Sequence, residues 1–336
     1  MGKLTTAMFE AGFVKDRSQV QARPQWTDGD KVRFIGKNPA NIGGWEKLIA
    51  EQFNGKCRGL LSWQDFSEVK RLAIGTHTKL YQMSQGSLVN ITPYSSTGTL
   101  TDPFTTTNGS ATVTVTHNSH QRVPDDTVNF ANATAVGGLT IDGDYTVVST
   151  SPNSYTITAA GTASSSATGG GSVDYQYELG IGFGDATPAF GYGVGGYGVG
   201  TYGTPRSTSV LLAPRTWTLD KFDEYLLACP RGGNLYDWQL NVGSRAELVA
   251  AAPTQNLGVF VTEDRHAVLF GADGNKLKVK WCDQGDYGNW TVSDVTSAGT
   301  RTLTGGSEIS CGIPTVAANL LLTDLSVWTM TLIGGD

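Results

Sequence analysis

The chain has 336 residues, of which 43 are glycine, 39% hydrophobic and only 16% charged, and its formal net charge is -6 at pH 7. With Ser and Thr abundant between short runs of Val, Leu, Tyr and Trp, this is the profile of a turn-rich, all-β chain, long enough for two domains or for one large β architecture with an insertion. It excludes a protein that wraps DNA, since phosphate affinity needs clustered Lys and Arg and no such run occurs; a mildly acidic surface suits a conduit past which DNA slides.

Cys57, Cys229, Cys282 and Cys311 are widely spaced and form no C-x-x-C, so neither a zinc motif nor a disulfide scaffold is expected, and the thiols should be reduced and mostly buried. The start, MGKLTTAMFEAGFVKDR, lacks the apolar core of a signal peptide, and no apolar run is long enough to span a bilayer. Synthesis and folding in a cytoplasm are therefore expected.

In chain order, the stretch WTDGDKVRFIGKNPANIGGWEKL at 26–48 comes first. The first of four similar segments follows. They read LAIGTHTKLYQM from Leu72, YLLACPRGGNLYDWQ from Tyr225, AVLFGADGNKLKVKW from Ala267 and NLLLTDLSVWTMTL from Asn319. Each opens with an almost continuous apolar run, as in a strand buried on both faces, turns at Gly or Asp, and continues into a second strand. That second strand alternates and carries a large aromatic residue: Tyr81, Tyr236 with Trp238, Trp281 and Trp328. From the second segment onward the repeat distance is about 40–50 residues, the length of a four-stranded propeller blade. Spacing alone leaves a generic series of hairpins in a sandwich or barrel as the alternative.

Between the first and second segments lies excess sequence of a different character. Over residues 98–178 it turns to Thr, Ser, Gly, Ala and Val, and Thr112, Thr114 and Thr116 alternate with Val113 and Val115, so one face should be wet and one buried. Five or six strands in about eighty residues predict a small β barrel or sandwich, inserted between blades. The chain thus divides into 1–97 (hairpin and first blade or blades), 98–178 (inserted module) and 179–336 (a Gly/Tyr-rich loop and further blades).

That loop, GYGVGGYGVGTYG at 191–203, matches G-x-G-x-x-G at Gly193, Gly195 and Gly198. A dinucleotide fingerprint also needs a strand before it, a helix at its third glycine and an acid some twenty residues on, and none of these is present. Its true unit is Gly-Tyr-Gly, which predicts a structured loop whose Tyr192, Tyr197 and Tyr202 pack at an interface. The one helix signal is SRAELVAAAP at 244–253, two turns stopped by Pro253.

No catalytic, cofactor or metal residue is assigned. His117 and His120, at i and i+3, read as a solvated turn, and Asp142 with Asp144 in TIDGDYTV as a hairpin turn before a calcium loop. Asp220, Asp223 and Glu224, with Trp217 nearby, are the best acids a glycosidase could use; they read instead as an exposed turn leading into a strand.

The 26–48 stretch resembles the tail nozzle proteins of short-tailed bacteriophages, also called tail tubular protein B or phage stabilisation proteins. The shared positions are Trp26, Asp28, Gly29, Asp30, Val32, Arg33 and Phe34, then Gly43, Gly44 and Trp45 closing the first hairpin. RTWTLDKFDEYLLACPRGGNLYDWQ at 215–239 is similar to a blade of that family, and FTTTNGSATVTVTH and GGLTIDGDYTVVS to a β module recurrent in phage structural proteins. The resemblance implies a β-propeller-like platform in a homo-oligomeric ring, a hexamer, in the virion tail. It implies contact with a portal-adaptor protein and with tail fibre or needle proteins, transient passage of double-stranded DNA, an indirect approach to the host surface, and no cofactor. Family members continue well beyond this chain's last residue, so a missing C-terminal half, or completion by a neighbour, is expected. The rival reading is a tail-associated propeller that hydrolyses or binds glycans. If the loop tyrosines are interfacial, replacing Tyr192, Tyr197 and Tyr202 together by Ser weakens ring assembly in analytical ultracentrifugation and leaves nucleotide affinity at background; intact rings would count against that role.

Overall fold

The computed structural model describes residues 10–16, 18, 20–21, 25–44, 47, 49–186 and 213–332, and places them in two compact units, Met1–Ala50 and Glu51–Asp336. Trp45, Tyr192, Tyr197 and Tyr202 lie outside the described residues.

In the first unit, Glu10–Phe13 pairs in parallel with Gln25–Trp26, and Val32–Ile35 forms an antiparallel hairpin with Asn38–Asn41. Gly36 turns that hairpin at φ 62°, a left-handed conformation that glycine adopts without steric cost. The hairpin therefore closes at Gly36, ahead of Gly43 and Gly44, which follow its second strand and are exposed. Phe34 meets Phe13 edge to face at 5.3 Å, and Asp28 accepts a hydrogen bond from the Gly29 amide at 2.9 Å. Asp30 and Arg33 are exposed, while Trp26 is half-buried and its carbonyl accepts from Val14 N–H.

The second unit contains four consecutive antiparallel sheets in which strand order follows sequence order. The first blade comprises Cys57–Gln64, Lys70–Thr76, Leu80–Ser84 and Ser87–Asn90. The second comprises Trp217–Phe222, Tyr225–Pro230, Tyr236–Trp238 and Glu247–Leu248. The third comprises Gly258–Val261, Ala267–Phe270, Lys278–Trp281 and Gly299–Thr302. The fourth comprises Ile309–Ile313, Asn319–Thr323 and Val327–Met330. All four repeat segments of the sequence are the second and third strands of these blades.

The blades pack face to face, and each seam is a separate core. Trp63, Ala73, Leu80, Trp217, Leu226, Ala228, Tyr236 and Trp238 fill the first seam; Phe222, Leu227, Cys229, Val259, Ala267, Leu269 and Cys282 the second; Phe260, Val268, Phe270, Val279, Ile309 and Leu321 the third. Leu226 and Ala228 thus face one neighbour while Leu227 and Cys229 face the other, because successive side chains of a strand point to opposite faces. This accounts for the continuous apolar runs. First strands adjoin one another in succession, from Cys57–Gln64 to Trp217–Phe222 to Gly258–Val261 to Ile309–Ile313, and among the described residues no contact of that extent returns from the fourth blade to the first.

The inserted module is a sandwich, with no closed barrel. Its five-stranded sheet orders Ser149–Ser151, Ser154–Thr158, Thr112–Thr116, Phe104–Thr106 and Ala167–Gly169; its four-stranded sheet orders Gly143–Thr146, Thr127–Ala131, Ser172–Glu178 and Tyr94–Thr101. Phe104, Val113, Val115, Val128, Phe130, Ile157 and Val173 form the core between them, with Val113 and Val115 fully buried as their alternation predicts. The sandwich has more strands than the five or six expected, because several run for only three residues. Its incoming and outgoing strands, Tyr94–Thr101 and Ser172–Glu178, pair side by side, so the insertion opens and closes at one place on the blade platform.

Three local expectations fail. Residues 244–253 are not helical: Glu247–Leu248 pairs with Tyr236–Trp238, and the Ala246 and Val249 amides donate to Ile91 and Leu235, so sheet contacts take the bonds a helix would use. Asp142-Gly143 is not the hairpin turn, which forms instead at Gly137-Gly138 between the bridged Val136 and Leu139, while Asp142 accepts from the Ala133 amide. Of the thiols, Cys229 and Cys282 are buried, their ionisation pushed up to about 12 by burial, but Cys311 is half-buried and Cys57 exposed.

Trp217 of the second blade seats against Gly75 of the first, where a Cβ would stand 2.6 Å from the indole. Gly75→Ala should therefore cost about 1–3 kcal/mol by overpacking and Trp217→Ala about 3–5 kcal/mol by cavity formation. Gly43→Ala, with open space around it, should change stability by no more than about 0.5 kcal/mol. Urea denaturation of the three variants checks the order.

Candidate functional site

The acids that sequence reading offers for glycoside chemistry sit at the seams. Asp220 lies on the first strand of the second blade, a sheet edge whose neighbour presents unpaired amides. Its Oδ2 accepts from Val261 N–H at 2.7 Å on the third blade, and Thr218 Oγ1 accepts from Val259 N–H at 2.9 Å. Burial raises the Asp220 carboxyl, opposed by the Val261 and Lys221 amides. Asp223, in the left-handed region at φ 54°, turns the hairpin and pairs with Arg265 at 2.6 Å, and Glu224 Oε2 accepts from Phe66 N–H at 3.2 Å on the first blade. Trp217, expected as a platform for a sugar, is buried and donates from Nε1 to Thr76 O at 2.7 Å. The turn is thus a tie between blades, more engaged than the exposed turn expected.

The aromatic residues of the third strands occupy different positions along them and do not share one role. Tyr81 accepts from Asn54 N–H at 2.9 Å, and burial raises its hydroxyl. Tyr236 is buried in the first seam, and burial raises its hydroxyl too. Trp238 is buried, donates to Asn241 O at 3.0 Å and lies beneath the Arg71 guanidinium at 5.6 Å. Trp281 and Trp328 are half-buried and donate to Ser297 O at 2.8 Å and Ser326 Oγ at 2.9 Å.

A polar constellation that sequence reading missed joins the module to the platform. Glu178, the last residue of the outgoing strand, is buried and receives Lys79 Nζ at 2.6 Å and Asn90 Nδ2 at 2.8 Å from the first blade. Arg245, from the second blade, lies 3.1 Å away and also covers the Tyr94 ring at 5.6 Å. Lys79 makes a further bond to Thr127 Oγ1 at 3.0 Å in the module. Glu178 therefore pairs with two cations, of which Arg245 also lies 3.6 Å from Asp144, and links the module to two blades, the condition under which a buried charge is tolerated. A cleft of about 430 Å³ opens beside it, lined by His77, Lys79, Thr127, Asp144, Tyr145 and Glu178 among others.

Behind Glu178, His117 and His120 belong to a packed aromatic cluster and not to a solvated turn. His120 is buried, with Nε2 2.7 Å from Ser151 O and Nδ1 accepting from Arg122 N–H at 2.9 Å. The Tyr177 hydroxyl donates to Tyr155 at 3.1 Å and so accepts from His117 Nδ1–H at 2.6 Å. Arg122 stands 4.8 Å above the Tyr177 ring. Burial pushes the Tyr177 hydroxyl up to about 12, and both histidines contribute ring faces, which the sequence spacing did not disclose.

Among the described residues, no group of three or more His, Cys, Asp or Glu could hold a metal ion, and no helix is long and apolar enough to cross a membrane. No family model matches the chain, and no curated protein matches it in sequence. Among solved structures, a phage phi92 endosialidase is similar to it at 13% identity with a TM-score of 0.23, over 80% of this chain and 39% of that one. The chain thus spans well under two thirds of that protein's length, and the likeness is too slight to bear on what it does.

Burial, with the positive charge of Arg122 nearby, lowers the affinity of His117 for a proton below its usual 6.5. The unfolded chain then binds more protons than the folded one as pH falls below about 6.5, so this contribution to stability is present at neutral pH and is lost on acidification. Urea midpoints at pH 7.5 and 5.5 should fall with pH in the parent and fall less in His117→Gln; equal pH dependence would remove the assignment.

Proposed function

We propose that this chain is a structural subunit of a short phage tail: a nozzle protein that extends the tail channel, retains the genome and guides its ejection, with no chemistry of its own. The observation that carries the reading is the use of Asp220, Asp223 and Glu224 as ties between blades, since acids bonded to backbone amides and to Arg265 build a scaffold. The resemblance at 26–48 and 215–239 supplies the biological setting.

In this reading the protein resides in the virion tail, having been assembled in the host cytoplasm, and forms a ring with copies of itself, most simply a hexamer. It meets a portal-adaptor protein on one side and tail fibre or needle proteins on the other, and double-stranded DNA passes transiently. The outward face of the fourth blade supports self-association, with Leu320 and Leu322 half-buried and Val327 64% exposed. The net charge of -6 suits a wall that DNA must leave without adhering.

The rival, a glycan hydrolase, needs two carboxyl groups free to face a substrate. Electron microscopy of particles labelled with antibody to this chain should show it as a ring below the portal, and incubation of the purified protein with host polysaccharide should release no sugar. Absence from purified virions, or sugar release above the blank, would overturn the reading.

A further inference from the structure

Three seams join the four blades, and all are built in the same sense. The side of a blade that bears Ala73, Leu227 or Val268 on its second strand, its leading face, meets the side of the next blade that bears Leu226, Ala267 or Leu321, its trailing face. Two such faces are left over: the leading face of the fourth blade and the trailing face of the first. Among the described residues, no contact as extensive as a seam joins these two within one chain.

The register defines what each free face presents. On the fourth blade Leu321 faces the third seam, so Leu320 and Leu322 point away from it. Leu320 pairs with Ile313 and Thr329, and Leu322 with Cys311 and Val327, which makes two cross-strand rows. On the first blade Ala73 faces the first seam, so Leu72 and Ile74 point away from it. Leu72 lies in a row with Ser62, Met83 and Leu88, and Ile74 in a row with Leu60, Tyr81 and Asn90. Leu60 and Val327 are each 64% exposed and Ile313 is 43% exposed, while Leu72, Met83, Leu88, Leu320 and Leu322 are half-buried. None of these rows contains a Lys, Arg, Asp or Glu.

A sheet face that met only water would carry polar residues, whereas these two carry the uncharged apolar rows that line the inner seams. No seam brings two leading faces together, so each free face fits the other kind and not itself. We infer that the leading face of the fourth blade docks on the trailing face of the first blade of a second copy of this chain, adding a seam of the same kind as the three within it. The inference rests on the ring assembly of the nozzle reading and specifies its surface. Because the two faces differ, every pair of copies keeps one free face of each kind, and copies join head to tail until the rotation closes a ring.

Sedimentation velocity of the full chain over a concentration series tests it, with Val327→Glu to block the leading face and Leu60→Glu to block the trailing face. Both positions are exposed, so both variants should keep the parent's urea midpoint. The parent should assemble, and each variant alone should associate at least about tenfold more weakly, since its carboxylate would be desolvated in the seam without a partner. Mixed in equal amounts, at a concentration where each alone is monomeric, the two variants should form a dimer and nothing larger, through the intact leading face of Leu60→Glu and the intact trailing face of Val327→Glu. A parent that stays monomeric, a variant that assembles as the parent does, or a mixture that stays monomeric or grows past the dimer would overturn the inference. Assembly that persists in both variants would overturn this surface and leave the nozzle reading standing, because that reading is tested on the labelled particles.

Discussion

Everything in the platform depends on the second strands of the two middle blades being buried on both faces. Leu226 and Ala228 fill one seam and Leu227 and Cys229 the next; Ala267 and Leu269 fill the second seam and Val268 and Phe270 the third. Such a strand cannot alternate apolar with polar residues, because neither side meets water. The blades are then held in succession by cores that they share, and no single blade has a complete core of its own.

Close approach of the first strands follows from the same packing. Trp217 can stand against the first blade only because Gly75 has no side chain, and at Gly258 a Cβ would meet the Phe270 ring and Thr218. The exposed amides of these edge strands are met by neighbouring side chains, with Thr218 and Asp220 serving Val259 and Val261. A polar residue at a seam thereby does what a paired strand does elsewhere.

The inserted sandwich leaves this succession intact because its incoming and outgoing strands are neighbours in one sheet. Its attachment is electrostatic at the centre, where Glu178 gathers Lys79, Asn90 and Arg245. These residues are separated by up to 166 positions in the chain, and nothing in their local sequence marks them as partners.

By itself the sequence determined the all-β class, the four hairpins that became the second and third strands of the blades, and the inserted module with its Val113 and Val115 core. Each of these is written in local periodicity, and a strand's two faces can be counted along the chain. It misassigned residues 244–253, where helix-compatible composition lost to pairing with Tyr236–Trp238, and His117 with His120, whose i, i+3 spacing carried no sign of the tyrosines supplied from strands far along the chain. Only the tertiary structure decided which acids became ties and which charges compensate Glu178, because these depend on residues brought together across seams. Periodicity reports a residue's face; it does not report which blade that face will meet.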